Sequence, residues 1–333
     1  MIKSSPIRLP SLRNFSTSCT LFGLCIVLIC SFSVGVPWVS AQETVPVIGR
    51  FLLVSAEGLY VVEADRSSSW SYKSAPYEHD GSTKYDDLLY DGWALPNGHF
   101  LLSAHKYVRE IDQEKRTIWE YRVGGTAEVK TCVPLPDGNV AVINSQEQAI
   151  LELESGTGKI LHRIAVPAKG TDHTRYNLVR RTPNGTYLVA LRAEERIVEV
   201  DRDGKVLLSI PCPATVAQRL SDGSTLCSGY GLTKFDQTGK EIWSFRAADA
   251  APAFPMLIGG GFVELPDNRI LAVNSDWHYK GPGDNRVQLY IVGTDKKVSW
   301  TFSSENFDGW KRGEVEPRTK LIEHRCMMIQ LIN

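Results

Sequence analysis

Short runs rich in β-branched, aromatic and other apolar residues recur along most of the chain, each bounded by polar or turn residues. Val108-Arg109-Glu110-Ile111 and Ile197-Val198-Glu199-Val200 are two such runs; Thr186-Tyr187-Leu188-Val189 and Arg269-Ile270-Leu271-Ala272 are two more. Enrichment in β-branched and aromatic residues, in runs this short and bounded by turn residues, predicts strands rather than helices. One recurring turn punctuates them. Leu95-Pro96-Asn97-Gly98, Leu135-Pro136-Asp137-Gly138, Thr182-Pro183-Asn184-Gly185, Leu220-Ser221-Asp222-Gly223 and Leu265-Pro266-Asp267-Asn268 are variants of one motif, the chemistry of a tight hairpin.

After each turn comes a strand, then a second strand ending near an acidic turn, and then a third that in three units opens on Gly-Lys, at Gly158-Lys159, Gly204-Lys205 and Gly239-Lys240. The third strand carries an aromatic residue at a fixed place: Trp70, Trp119, Trp243 and Trp300, with His162 and Leu208 there in the other two units. A large ring repeated at one strand position is read as a packing knob between units. Ile48-Gly49-Arg50-Phe51 matches the same turn and strand, which makes six units with turns spaced roughly 40 to 50 residues apart. Four strands per unit at that period predict an all-β fold, a six-bladed β-propeller. With strands labelled A to D from the centre outward, the first unit lacks its strand A. Arg325 to Asn333 resembles the strand before the Asp137-Gly138 turn, so the C-terminal strand is expected to pair near Phe51 and close the ring.

The N-terminus reads as an address. Lys3, Arg8 and Arg13 precede an uncharged stretch from Phe15 to Gln42, and Val39-Ser40-Ala41 offers small residues at a cleavage site. Residues 1–41 are expected to be a signal peptide, and 42–333 a single propeller domain exported to the periplasm or beyond. An uncleaved anchor is the alternative, because the uncharged run is long enough to span. After cleavage no stable membrane span is expected. Cys132, Cys212, Cys227 and Cys326 would remain, with Cys212–Cys227 the pair best placed for a disulfide and free buried thiols the competing reading.

Composition changes this picture little. The chain has 333 residues, 43% hydrophobic and 23% charged, and a formal net charge of −1. That balance excludes a strongly basic nucleic-acid binder, and a monomer is expected. No Walker loop, Gly-x-Ser-x-Gly elbow, EF-type loop or His-Glu-x-x-His is present, and no Cys/His spacing signals a metal.

Candidate chemistry comes from topology. The A–B and C–D turns are short, whereas the D–A and B–C connections are longer and varied and fall on one face. A rigid scaffold presents functional residues in such loops. The candidates for ligand binding are His173, Arg175 and His324 near inner-strand starts, His105 and Arg192 at strand-B ends, and Asp276, Trp277, His278 and Lys280 in the last unit. Tyr85, Asp86, Glu128, Lys106, Asn144 and Glu194 share those places.

The Asn/Asp-Gly turns, the Gly-Lys strands and the Trp-x-aromatic strands resemble the exported bacterial propellers grouped as pyrroloquinoline-quinone-like repeat proteins. Within the last unit, Asn274 to His278, Gly281-Pro282-Gly283 and Val298-Ser299-Trp300 are similar to an uncharacterised six-bladed subgroup. The resemblance implies the fold. It implies no cofactor: quinone dehydrogenases of this kind have eight blades, and their ligand set has no residue-by-residue match here. No cofactor is predicted, with pyrroloquinoline quinone or a metal ion left open. The first functional reading is a non-catalytic exported propeller that binds a small molecule or an extracytoplasmic protein through the D–A/B–C face. The alternatives are a propeller enzyme with a His/Arg/Lys site at the channel mouth, and an accessory subunit of an exported enzyme or envelope assembly.

Overall fold

The recurring turn closes as its residues dictate. In the Leu95–Gly98 turn the Gly98 amide donates to the Leu95 carbonyl at 3.0 Å, and the Leu95 amide donates to the His99 carbonyl at 2.8 Å. Gly98 has φ +83°, a left-handed conformation in which a Cβ is penalised, and Asn268 fills the same place in its turn at φ +64°. Each turn joins an inner strand to the next strand outward. The computed structural model describes residues 48–56, 58–74, 88–251, 253–275, 287–303 and 326–332. The expected signal peptide, and Tyr85, Asp86, Asp276, Trp277, His278, Lys280, His324 and Arg325, lie outside the described residues. Among the described residues no helix is long and apolar enough to cross a membrane.

The strands form six four-stranded antiparallel sheets, the blades of a β-propeller. In blade two the order runs outward from Leu89–Ala94 through Phe100–Ala104 and Tyr107–Ile111 to Thr117–Arg122. Blades three to six repeat this order. Blade one takes its inner strand from the far end of the chain. Cys326–Leu331 pairs with Phe51–Ser55, with Phe51 opposite Leu331 and Leu53 opposite Ile329. The ring closes as the sequence predicts, with the two chain ends sharing one blade. The closing strand packs on the inner strands of blades six and two, Ile258–Glu264 and Leu89–Ala94.

That seam explains the run Gly259-Gly260-Gly261. A Cβ at Gly260 would sit 2.4 Å from the Met327 carbonyl oxygen, and one at Gly261 would sit 2.3 Å from the Met328 side chain. The backbones of the first and last blades therefore approach more closely than side chains allow. The Gln330 side chain also reaches across to blade two, where it accepts from the Ala94 amide at 2.7 Å and donates to the Ala94 carbonyl at 3.3 Å.

The repeated aromatic position is an inter-blade latch. Trp70 donates its indole N–H to the Gln113 carbonyl of blade two at 2.9 Å and stacks on Phe100 with centroids 4.0 Å apart. Trp243 of blade five donates to the Thr294 carbonyl of blade six at 2.9 Å, and His162 Nε2 of blade three meets the Arg202 carbonyl of blade four at 2.9 Å. Trp300 of blade six lies under the Arg66 guanidinium of blade one at 5.6 Å. Trp119 departs from the pattern, donating to Glu110 Oε2 within its own blade at 2.6 Å. Cys132, Cys212, Cys227 and Cys326 are all buried, and no disulfide joins any two of them. Cys212 and Cys227, the pair considered for a disulfide, form none.

Candidate functional site

The inner strands start around a cavity of about 290 Å³. All six blades line it. Tyr90, Lys130, Leu178, Thr215, Ile258 and Met327 come from the inner strands or the residues leading into them, and Arg192, Glu195, Tyr230 and Ser275 come from the B–C side. The cavity therefore opens among the D–A and B–C connections, where the ring predicts a site. Tyr230 stands at its edge with 74% of its surface exposed. Gly229 and Gly259 narrow the ring here, for a Cβ on Gly259 would meet Ser228 Oγ at 2.1 Å.

One wall departs from the repeat, and that departure builds a cluster of titratable side chains. The inner strand of blade three is only Val133–Pro134. Pro134 lacks an amide hydrogen, and the Cys132 amide donates to Asp91 Oδ2 at 3.2 Å instead of to its own blade. The segment just upstream leans toward blade two: the Val129 amide donates to the His105 carbonyl at 2.8 Å, and Lys106 Nζ donates to the Gly125 and Ala127 carbonyls at 3.0 and 2.9 Å. Glu128 is thereby set beside His105, which ends strand B of blade two.

His173 arrives from the other side. It sits on the one-turn helix Asp172–Arg175, capped by Thr171, whose hydroxyl accepts from the Thr174 amide at 3.3 Å. Thr126 donates to Asp172 Oδ2 at 2.6 Å, which ties that helix to the Glu128 segment. His173 Nδ1 lies 3.1 Å from Glu128 Oε1, and Lys130 Nζ lies 2.8 Å from Glu128 Oε2. Candidate donor atoms of His105, Glu128 and His173 all fall within 4.8 Å of one another. His105 is buried, with the Tyr90 ring 4.5 Å from its own, whereas the His173 side chain is half exposed.

The charges respond to this crowding. Burial works to raise the Glu128 carboxyl, but Lys130, His105 and His173 together hold it below its ordinary value. Burial draws Lys130 downward, helped by the nearby positive charge of Arg192; Glu128 opposes this, and the net shift is down. Glu128 is thus ionised among cationic and imidazole neighbours.

One residue further along the inner strands, the ring interior is plugged. Arg180 donates to Asp91 in bidentate fashion, Nη1 to Oδ2 and Nη2 to Oδ1, both at 2.8 Å, with both side chains almost fully buried. Thr131 donates to Asp91 Oδ2 at 3.0 Å, and Arg180 Nη2 lies 3.2 Å from Met328 Sδ. This pair links the inner strands of blades two and four across the channel.

Of the residues singled out from sequence, His105 and His173 converge and Arg192 lines the cavity. Arg175 has a different place. Its guanidinium donates to the Ser145, Ala168 and Gly170 carbonyls and to Asp172 Oδ1, so it braces the His173 helix. Asn144 caps the next turn, accepting from the Gln146 and Glu147 amides at 3.1 Å. Sequence reasoning missed Lys130, Tyr90 and Tyr230. Lys130 had a signal: it lies two residues from Glu128 in an extended segment, hence on the same face. Tyr90 and Tyr230 had none.

No family model matches the chain, and no curated protein matches it. Among solved structures, a Bacteroides caccae protein of unknown function is similar at 19% identity and a TM-score of 0.68, over 84% of this chain and 97% of that one. Virginiamycin B lyase from Staphylococcus aureus is similar at 11% identity and a TM-score of 0.53, over 78% of this chain and 85% of the lyase. A catalytically inactive histidine-to-alanine form of that lyase with quinupristin gives 10% identity and a TM-score of 0.53, over 77% and 84%. At these identities the likeness is one of architecture, and the chain is a six-bladed β-propeller.

Proposed function

We propose that the protein is an exported propeller that binds a small anionic molecule at the mouth of its channel. The observation that carries this reading is Arg192. Its side chain lines the cavity and makes no ion pair among the described residues, and it lies close enough to lower the charge affinity of buried Lys130. A guanidinium facing a concave, partly apolar cavity suits a carboxylate, sulfate or phosphate, which it can grip with two parallel hydrogen bonds. The exposed Tyr230 ring offers a face for the remainder of the ligand. The leader in residues 1–41 supports export, and the turn and tryptophan motifs support a place among the quinone-like repeat propellers.

The test is a thermal-shift panel of small carboxylates, sulfates and phosphates, followed by calorimetry on any hit. Binding should fall at least tenfold in Arg192→Ala and more modestly in Tyr230→Ala. An Arg192→Ala protein that binds the same compound as tightly as the parent would refute the reading.

A second reading, an enzyme at the same mouth, is favoured by the convergence of His105, Glu128 and His173. With Nδ1 of His173 held by Glu128, Nε2 is the nitrogen available to move a proton. Turnover of a bound compound that is lost in His173→Gln while binding persists would establish this reading over passive binding.

A further inference from the structure

We infer that His105, Glu128 and His173 form a site for one divalent transition-metal ion of the zinc class, beside the cavity. The donor set is two imidazoles and one carboxylate, drawn from three separate connections of blades two, three and four. Two neutral nitrogens and one anionic oxygen suit zinc, cobalt or nickel, and they are too few oxygens for calcium or magnesium.

The geometry is close to what such an ion needs. Ligands about 2.0–2.2 Å from a tetrahedral ion lie roughly 3.3–3.6 Å from each other. Glu128 Oε1 and His173 Nδ1 are already 3.1 Å apart, and the widest separation in the set is within 4.8 Å. The remaining closure of about 1 Å falls within small side-chain adjustments of His173, the most exposed of the three, and Glu128. His105 is held by burial against Tyr90.

The surroundings are those of a ligating carboxylate. Lys130 Nζ meets Glu128 Oε2 at 2.8 Å, and Oε1, 3.1 Å from His173 Nδ1, is the oxygen left to face an ion. A hydrogen bond to the outer oxygen orients a metal-bound carboxylate. The positive charge of Lys130 weakens the carboxylate as a purely ionic ligand, and this again favours an ion bound chiefly through imidazole nitrogen. Three protein donors leave at least one coordination position, reached from the exposed side of His173. That is the arrangement of a site that takes water or a further ligand rather than a closed structural one.

The site does not depend on the anion reading. Arg192 contributes no donor to it, so metal binding and anion binding fail separately.

The experiment uses the full chain stripped with chelator, dialysed and titrated with Zn²⁺ by calorimetry. Bound metal is counted by mass spectrometry, and Co²⁺ is added to a parallel sample for its visible d–d bands. One equivalent of Zn²⁺ should bind with micromolar or tighter affinity, and Co²⁺ should give absorption that Zn²⁺ displaces. His173→Ala and Glu128→Gln should each weaken Zn²⁺ at least tenfold and abolish the Co²⁺ bands. His173 is half exposed, so its alanine variant should melt with the metal-free parent; Glu128→Gln is an independent arm. A parent protein that retains no Zn²⁺, or a His173→Ala protein that binds it as tightly, would overturn the proposal. The second outcome would assign the ion to other histidines.

Discussion

The closing strand gives the sharpest test of the ring. Deleting residues 326–333 removes Cys326, Met327, Met328 and Ile329, all at most 4% exposed. Burial of four such side chains is worth roughly 6–12 kcal/mol, but ordering the strand costs about as much, at about 1–2 kcal/mol per residue. The strand's own account is therefore near zero. The loss arises on what it covers. Phe51, Leu52, Leu53 and Val54 would lose one neighbour each, about 1 kcal/mol apiece, and the freed edge of Phe51–Ser55 would lose several ladder hydrogen bonds of about 1 kcal/mol net. A loss of about 5–10 kcal/mol matches the whole stability of a typical domain. The truncated chain should show no cooperative transition in urea followed by circular dichroism. Gly260→Ala probes the same seam with the chain complete: its Cβ meets a backbone oxygen at 2.4 Å, so a drop of about 2 kcal/mol or more is expected. A truncated protein that unfolds cooperatively near the parent midpoint would show that the blades stand without the seam, and the reasoning would be wrong.

Three further outcomes are expected. Asp91→Ala leaves Arg180 buried without its carboxylate and should cost about 3–5 kcal/mol, whereas the double replacement of Asp91 by Leu and Arg180 by Met should cost far less; equal losses in urea melts would refute the pair's role. Trp70→Phe removes the latch to Gln113 and should cost about 1 kcal/mol, and Trp70→Ala about 2–4 kcal/mol more through the lost stack on Phe100; calorimetric melting that separates the two variants by less than 1 °C would count against the latch. Burial works to raise the Asp222 carboxyl, but hydrogen bonds from Lys234 and Ser224 bring it to about 2. Its contribution is then complete above the unfolded value of about 3.9 and is lost as pH falls toward 2. Because the side chain is half exposed, that contribution is discounted to about 0.5–1 kcal/mol. The stability gap between parent and Asp222→Asn should close across this window, and a gap flat from pH 5 to pH 2 would disprove it.

The repeat was legible in the sequence because local chemistry fixes it. A left-handed turn needs Gly or Asn, and a strand packed between two blades is buried on both faces and reads as a short apolar run, so both marks recur wherever a blade recurs. Ring closure was legible for the same reason, since the last strand carries the pattern that the first unit lacks. The candidate site was legible only as a face of the ring. His105 and His173 could be placed on that face, but nothing local said that they meet over Glu128. That meeting depends on a blade that breaks the repeat, where Pro134 and the pull of Asp91 on Cys132 release the segment carrying Glu128 and Lys130. Arg175 shows the converse, for its charge suggested a ligand and its four oxygen partners make it a brace. The sequence by itself determined the blades, their number and their closure, because those follow from turns and periodicity within some fifty residues. Only the tertiary structure decided which polar side chains share a wall, because residues 105, 128 and 173 are joined by contacts between blades, which leave no periodic trace in the chain.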